Sequence, residues 1–361
     1  MDNTKPRLDA LQILRAAAFI AVVAAHCNVY LLARFPVPIF LVLSGFTMKY
    51  SYNERTPDSD FISCFKFGIK KIKPLYALHI IMLFVCMLMY VQYIIATPKA
   101  ILPVIGKWFV LDALLVQAWI PDLKVILSLN GPTWYLSAAL FIYILFPFIH
   151  KHLGKIKKKS SLIIGVLVSF LVPALVSVII RIITRDMDEE KANLLREYIT
   201  YSFPMICLFY FTAGYFVSGL FLDFKEKWSM AKASVLEIIT VLVVGVWSYT
   251  YIKFIVHTPN GSFWSSIVVM PLSILLVHVF AHGEGIISKL LVNKVVMYLA
   301  AISGVGYLIH YPFCTFFDII LSKIIGDKAP RWLLFAVTFI IVVLLSQLYI
   351  SITNKAKRKK A

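Results

Sequence analysis

The feature of this chain that most restricts its fold is a series of apolar runs, each about 20 residues long, separated by short gaps that carry most of its lysines. A helix of that length spans about 30 Å, the hydrocarbon thickness of a bilayer. Such runs lie near 9-33, 36-52, 72-96, 132-152 and 161-184, and again near 199-221, 234-257, 263-281, 294-320 and 331-354. The second and eighth are short enough to be tilted, broken or re-entrant. Composition points the same way. Of 361 residues 60% are hydrophobic and 15% charged, more apolar side chain than a water-soluble domain can bury. The expected fold is all-α and polytopic: about ten transmembrane helices in one membrane domain over 1-361, placed in the inner or plasma membrane.

A formal net charge of +18 would suggest a nucleic-acid partner in a soluble protein. Here the cations sit between apolar runs, so they read as topology, and no nucleic acid is expected. With the N-terminus inside, the inner segments carry Lys5 and Arg7, then Lys66, Lys70, Lys71 and Lys73, then Lys151, Lys155, Lys157, Lys158 and Lys159, and finally Lys355 through Lys360. The outer loops are poorer in Lys and Arg, and one holds the acids Asp186, Asp188, Glu189, Glu190 and Glu197. An even number of spans with this asymmetry predicts that both termini are cytoplasmic. The first run is interrupted by Arg15 and His26 and leads into no small-residue cleavage site, so it is expected to stay as an anchor. In segment 97-131, Trp108, Leu111, Leu114, Leu115 and Trp119 recur at helical spacing and predict an amphipathic helix on the membrane surface. The five cysteines, Cys27, Cys64, Cys86, Cys207 and Cys314, are scattered and imply neither a disulfide framework nor a metal site.

An ionisable side chain within a span costs about 2.5–3.5 kcal/mol on insertion scales, so it usually lines a polar cavity or serves a function. Arg15 and His26 are the conspicuous pair. Eleven residues apart, they share one face of a helix and lie about 16 Å apart along its axis, too far to touch. A long ligand could engage both, with the guanidinium on a phosphate or carboxylate and the imidazole at the reactive end, a geometry that suits a coenzyme A thioester. The plainer alternative is a snorkelling Arg15 and a packed interior His26.

The run from Leu14 to His26, with Arg15 and His26 at its two ends, resembles the R-x10-H first helix of the membrane acyltransferase-3 family. Phe40-Leu41-Val42-Leu43-Ser44-Gly45-Phe46 resembles the family's F-F-V-L-S-G-F segment. Lys71-Ile72-Lys73-Pro74-Leu75-Tyr76 is similar to its R-I-x-P-x-Y segment, Gly131-Pro132-Thr133-Trp134-Tyr135-Leu136-Ser137 to its G-P-x-W-x-L-S segment, and Tyr307-Leu308-Ile309-His310-Tyr311-Pro312 to its Y-L-x-H-x-P segment. Each alone is an ordinary apolar string, but the five follow one another in family order from the first span to the ninth.

The resemblance implies an integral membrane O-acyltransferase, usually an O-acetyltransferase, that takes its acyl group from coenzyme A and delivers it to a surface polysaccharide or lipid-linked glycan. It makes Arg15 and His26 the essential pair. Acetyl-CoA or another acyl-CoA would be a co-substrate, with no permanently bound cofactor and no metal; the partners would be that donor, the glycan acceptor and membrane lipid. Lys71 and Lys73, at the expected cytoplasmic mouth, would join Arg15 in binding the donor, although lysines beside a span are usually positive-inside anchors. Trp134, Tyr135, Ser44, Tyr307 and His310 are the candidates for an acceptor or donor pocket. Trp134 and Tyr135 suit a sugar-stacking platform or a plain aromatic belt equally. Ser44, beside Gly45, suits a break or a close helix approach better than a nucleophile. Pro312 can open its helix and free carbonyls near His310. Two departures stand out: Lys71 replaces a frequent Arg, and Ala138, Ala139 and Leu140 stand where the family often has Glu, so no carboxylate there can orient His26. The expected chemistry is attack of a hydroxyl on a thioester with neutral His26 as general base.

His79, His278 and His282 read as interior or interfacial histidines, and His150 and His152 as part of a solvated basic loop. A secondary transporter or glycan flippase is the rival class. Transport coupled to protons predicts repeated halves and mid-span acids, and the spans hold little beyond Glu237 and Asp318 near their ends.

Overall fold

Hydrocarbon offers no partner to a backbone N–H or C=O, so a chain this apolar satisfies its backbone within helices. The computed structural model describes residues 8–32, 34–258, 260–326 and 330–358, and among them there is no strand. Ten principal helices follow one another: α1 (Ala10–His26), α2 (Pro36–Tyr52), α3 (Phe61–Leu88), α4 (Trp134–Leu153), α5 (Lys159–Ile183), α6 (Pro204–Phe224), α7 (Met230–Thr250), α8 (Gly261–His282), α9 (Lys294–Ile325) and α10 (Arg331–Arg358). Every expected run overlaps one of them. Eight, from α3 onward, are long and apolar enough to cross a membrane by length and composition. The other two, α1 and α2, have 17 residues each: the second run is short as expected, α1 is shorter than its run, and α8, expected to be short, has 22 residues.

Several boundaries also differ from expectation, each for a local reason. The first run was expected to reach residue 33, but α1 stops at His26. The third was expected over 72-96, whereas α3 starts at Phe61, because the Asp60 side chain accepts from the Ser63 N–H and caps the helix eleven residues earlier. Lys66, Lys70, Lys71 and Lys73 therefore ride on a helix and not in a loop. In the amphipathic segment the helix covers only Pro98–Ala113, and a turn with Leu115 at φ 55° follows, so Leu115 turns inward and is buried while Leu114 stays exposed. His150 is no loop residue: buried in α4, it pairs through Nδ1 with the Tyr215 hydroxyl at 2.7 Å and through Nε2 with the Tyr52 carbonyl at 2.9 Å. Lys5, Arg7, Lys359 and Lys360 lie outside the described residues.

The helices pack around α2. Without a hydrophobic force between helices in lipid, close backbone approach through small residues is a main source of association. Gly45 of α2 and Gly214 of α6 supply it reciprocally: a Cβ on Gly45 would overlap the Phe211 carbonyl, and one on Gly214 would overlap the Val42 carbonyl. Phe46, Phe211 and Tyr215 fill the space beside this contact and are buried in the principal core. α1 lies against α2 on one side and α9 on the other, so its two faces join both halves of the chain.

Replacing Gly214 by Ala forces backbone apart at the α2–α6 contact and is expected to cost about 1–3 kcal/mol. Melting of the detergent-solubilised protein checks this, with Gly245→Ala, where a Cβ meets nothing within 4 Å, as the neutral control.

Candidate active site

His26 owes its position to the way α1 ends. Asn28 has φ 59°, its N–H donates to the Ala25 carbonyl at 3.0 Å, and the Val29 N–H donates to the Ala24 carbonyl at 2.8 Å. This pair of bonds around a left-handed residue is the Schellman C-cap, with Asn in the place usually taken by Gly. His26 is thus the last helical residue, and its side chain is exposed at the mouth of a cavity. α1 is otherwise unbroken, so Arg15 stays three turns away, about 16 Å along the axis. Its guanidinium reaches the Gln12 side chain at 3.5 Å.

The wall opposite His26 is built by a proline. Pro312 inside α9 has no N–H for the Leu308 carbonyl one turn back, and that oxygen accepts instead from Asn130 Nδ2 at 2.9 Å. The Tyr307 carbonyl takes the Nδ1–H of His310 at 2.7 Å, and the Tyr307 hydroxyl donates to the Pro132 carbonyl at 2.8 Å. The helix stays continuous through Pro312, so the expected opening does not occur; the proline frees the Leu308 carbonyl, and the Asn130 side chain claims it. Two sequence motifs far apart in the chain, Gly131–Trp134 and Tyr307–Pro312, are joined by these bonds. The join brings the His310 ring to 5.0 Å and the Tyr311 ring to 5.2 Å from His26, centroid to centroid. With Nδ1 protonated toward Tyr307, His310 presents a bare Nε2, buried and without a partner.

Between these walls is a cavity of about 430 Å³, within the range of about 300–1,000 Å³ common for small-molecule sites. His26, Trp134, Tyr201, Tyr307 and Tyr311 line it with rings, and Glu197 and Ser202 add polar atoms. Of the sequence candidates, His26, Trp134 and Tyr307 line the cavity. His310 stands directly behind His26, and Tyr135 packs on Tyr307 with centroids 5.6 Å apart. The remaining candidates lie elsewhere. Ser44 hydrogen-bonds the Tyr143 hydroxyl at 3.0 Å in the middle of the bundle, next to the Gly45 contact. Lys71 lies over the rings of Tyr52 and Phe67, at 5.0 and 5.3 Å, and Lys73 is exposed. Both are at the α2 end away from the cavity, because Pro36 and Val37 line the cavity and Tyr52 closes the helix.

Sequence reasoning missed three parts of the site. Arg34 pairs with Glu197 and covers the Tyr201 ring at 4.1 Å, fixing a carboxylate and an aromatic face at the cavity. Tyr201 faces inward because a π-helical turn, Tyr198–Ser202, interrupts the helix before Pro204; such turns concentrate at functional sites. The proline at the first position of α6 was the available signal for a break there. The third is Asp112, fully buried beneath the segment that carries the cavity residues Leu127 and Gly131. Its carboxylate accepts from Ser128 Oγ at 3.1 Å, and its carbonyl accepts from His79 Nε2 at 2.9 Å.

A family model described as an acyltransferase domain matches residues 8–350. The chain is also 28% identical over 168 residues to acyltransferase MdmB of Streptomyces mycarofaciens, a match covering 42% of this chain and 41% of that protein. No solved structure matches.

Burial pushes the Asp112 carboxyl up to about 8, against a smaller downward pull from the Ser128 hydroxyl. The folded protein therefore keeps this proton between the ordinary 3.8 and about 8, while the unfolded chain has lost it. Stability from Asp112 is present at the acid end of that window, falls as pH rises through it and levels off above about 8. Asp112→Asn, which stays neutral, is expected to flatten the corresponding part of the melting-temperature profile; a profile unchanged from wild type contradicts the assignment.

Proposed function

Because the chain belongs to the acyltransferase-3 family, we propose that it is a membrane O-acyltransferase, most simply an O-acetyltransferase, that carries acetyl from acetyl-CoA to a hydroxyl of a surface polysaccharide or lipid-linked glycan. The observation that carries this reading is His26 at the end of α1, exposed in a cavity walled by aromatic rings and backed by the bare Nε2 of His310. Aromatic faces with a few fixed polar atoms suit a sugar ring, which offers C–H faces for stacking and hydroxyls for hydrogen bonds. The carboxylate of Glu197, held by Arg34, is placed to accept from such a hydroxyl.

In the mechanism, a ring nitrogen of His26 takes the proton of the acceptor hydroxyl as its oxygen attacks the thioester carbonyl. The tetrahedral intermediate collapses, the C–S bond breaks, and the coenzyme A thiolate leaves and recovers the proton from His26. The His310 ring, 5.0 Å from that of His26 and with a bare Nε2, suits an acceptor for the other nitrogen of His26, a bond that would hold the basic lone pair toward the substrate. A histidine thus fills the orienting role left empty by Ala138, Ala139 and Leu140. Arg15, on the same helix and about 16 Å away, suits the phosphates of an extended donor, which would reach His26 with its thioester end. We place the cavity on the outer side, because Glu197 belongs to the acidic loop and the lysines of α3 and of residues 155–159 lie at the other end.

The acids that coupled transport would draw on are engaged in the spans: Glu237 accepts from the Gly285 and Ser288 N–H groups, and Asp318 pairs with Arg331. The test is the acetyl-ester content of the surface glycan, by NMR, in a deletion strain complemented with wild type, His26→Ala, Arg15→Ala or His310→Ala. Wild type is expected to restore esters. Loss of the base predicts a fall of about 10²–10⁴-fold in transfer rate for His26→Ala, with a smaller fall for His310→Ala. Esters unchanged by deletion would end the acetyl reading.

A further inference from the structure

Two of the five cysteines meet. Cys27 is the C-cap residue of α1, directly after His26, and Cys314 lies one helical turn beyond His310 on α9. They are 287 positions apart, yet their sulfurs are 3.1 Å from one another. Both are buried, with Leu334 completing the cluster and Phe317, Leu321 and Phe335 packed around it. The Cys314 thiol also reaches the His26 carbonyl, donating to it at 2.9 Å, which leaves the Cys27 S–H as the donor between the two sulfurs. Cys27 is held by the α1 cap, its N–H bonding to the Val23 and Ala24 carbonyls, and Cys314 by a continuous helix, so the two side chains face each other from fixed backbones.

We propose that Cys27 and Cys314 are a modification site that closes to a disulfide, tying the end of α1 to α9 beside His26. The inference rests on the placement of the His26 end outside, where thiols meet oxidants. The reaction is thiol–disulfide exchange with a disulfide-bearing oxidoreductase of the exported face during folding, before the cluster closes. The Cys27 thiolate attacks the oxidant's disulfide and releases one of its thiols. The Cys314 thiolate then attacks the mixed disulfide, forming the Cys27–Cys314 bond and releasing the second. Two protein thiols are oxidised, one oxidant disulfide is reduced to two thiols, and the protons pass to the released thiolates. Once packed beneath Leu334 and Phe335, the bond is shielded from reductant. The consequence for the site is direct. Oxidation removes the S–H that Cys314 gives the His26 carbonyl and adds a covalent tie between the residue after His26 and the helix that carries His310.

The experiment is denaturing alkylation of whole cells followed by peptide mass spectrometry of the full-length protein. The expected result is a Cys27–Cys314 linked peptide, two hydrogens lighter than the sum of its parts, absent after reduction before alkylation and absent from Cys27→Ser. Melting of the purified protein adds an independent arm: Cys27→Ser, Cys314→Ser and the double variant show one common loss of melting temperature relative to wild type. Recovery of both cysteines as alkylated peptides from untreated cells overturns the proposal. An Asp186→Cys variant probed with a membrane-impermeant maleimide in intact cells separates the causes. Labelling with free Cys27 and Cys314 means that the pair does not oxidise although the orientation holds; no labelling means that the orientation itself fails. Neither readout depends on acyl transfer, so the outcome is distinguishable from that of the proposed activity.

Discussion

The carbonyl oxygen of Leu308 governs the architecture around the site. Pro312 has no N–H to give it, and an unpaired carbonyl within the hydrocarbon region costs several kcal/mol, so a donor must come from elsewhere in the chain. Asn130 is that donor. To deliver it, the segment between α3 and α4 folds back onto α9. The same approach sets the Pro132 carbonyl against the Tyr307 hydroxyl and places Trp134 at the cavity. A single missing hydrogen bond therefore joins two distant motifs, and their joining creates the wall that faces His26.

The segment that folds back carries local cost. Leu115 and Leu129 both adopt positive φ, which disfavours a side chain with a Cβ by about 1–2 kcal/mol per residue. Both are buried, Leu115 among the side chains of α1 and α9 and Leu129 beside Leu83 and Cys86. Asp112 lies beneath the same segment with one carboxyl oxygen unpartnered. Strained backbone and a buried acid thus collect in the segment that also supplies Leu123, Leu127, Gly131 and Pro132 to the cavity, local conformations that packing must offset elsewhere. Here the offset comes from apolar burial and from the bonds to α9.

α1 supplies the other half of the site through geometry alone. Its length puts Arg15 and His26 on one face and keeps them apart, and its Asn28 cap stops it where His26 can leave the bundle. A helix that ran on to residue 33, as hydropathy suggests, would have held the imidazole on a mid-helix face. The capping bonds decide otherwise, because an αL residue at C′ satisfies the last carbonyls without another helical turn.

Much was legible in the residues themselves. Hydropathy and lysine spacing placed all ten helices, since burial of apolar surface in lipid acts on long contiguous segments that a linear reading captures. Arg15, His26, Trp134, Tyr307 and His310 stood out because charge within a span is costly and their motifs are local strings. Ser44 beside Gly45 reads as the place of a break or a close helix approach, and the close approach is the one that occurs, at Gly45. What the linear reading could not supply depends on partners distant in the chain: the pairing of Arg34 with Glu197, the inward turn of Tyr201 at a π-helical break, the burial of Asp112 and His150, and the meeting of Cys27 with Cys314. Each arises where one helix end or loop meets another, and a contact of that kind is set by packing angles and caps that leave no periodic trace. The sequence by itself determined a helical membrane protein with an Arg–His first helix; only the tertiary structure decided which rings and carboxylates surround that histidine, because those neighbours are brought to it by the carbonyl that Pro312 leaves unpaired and not by proximity along the chain.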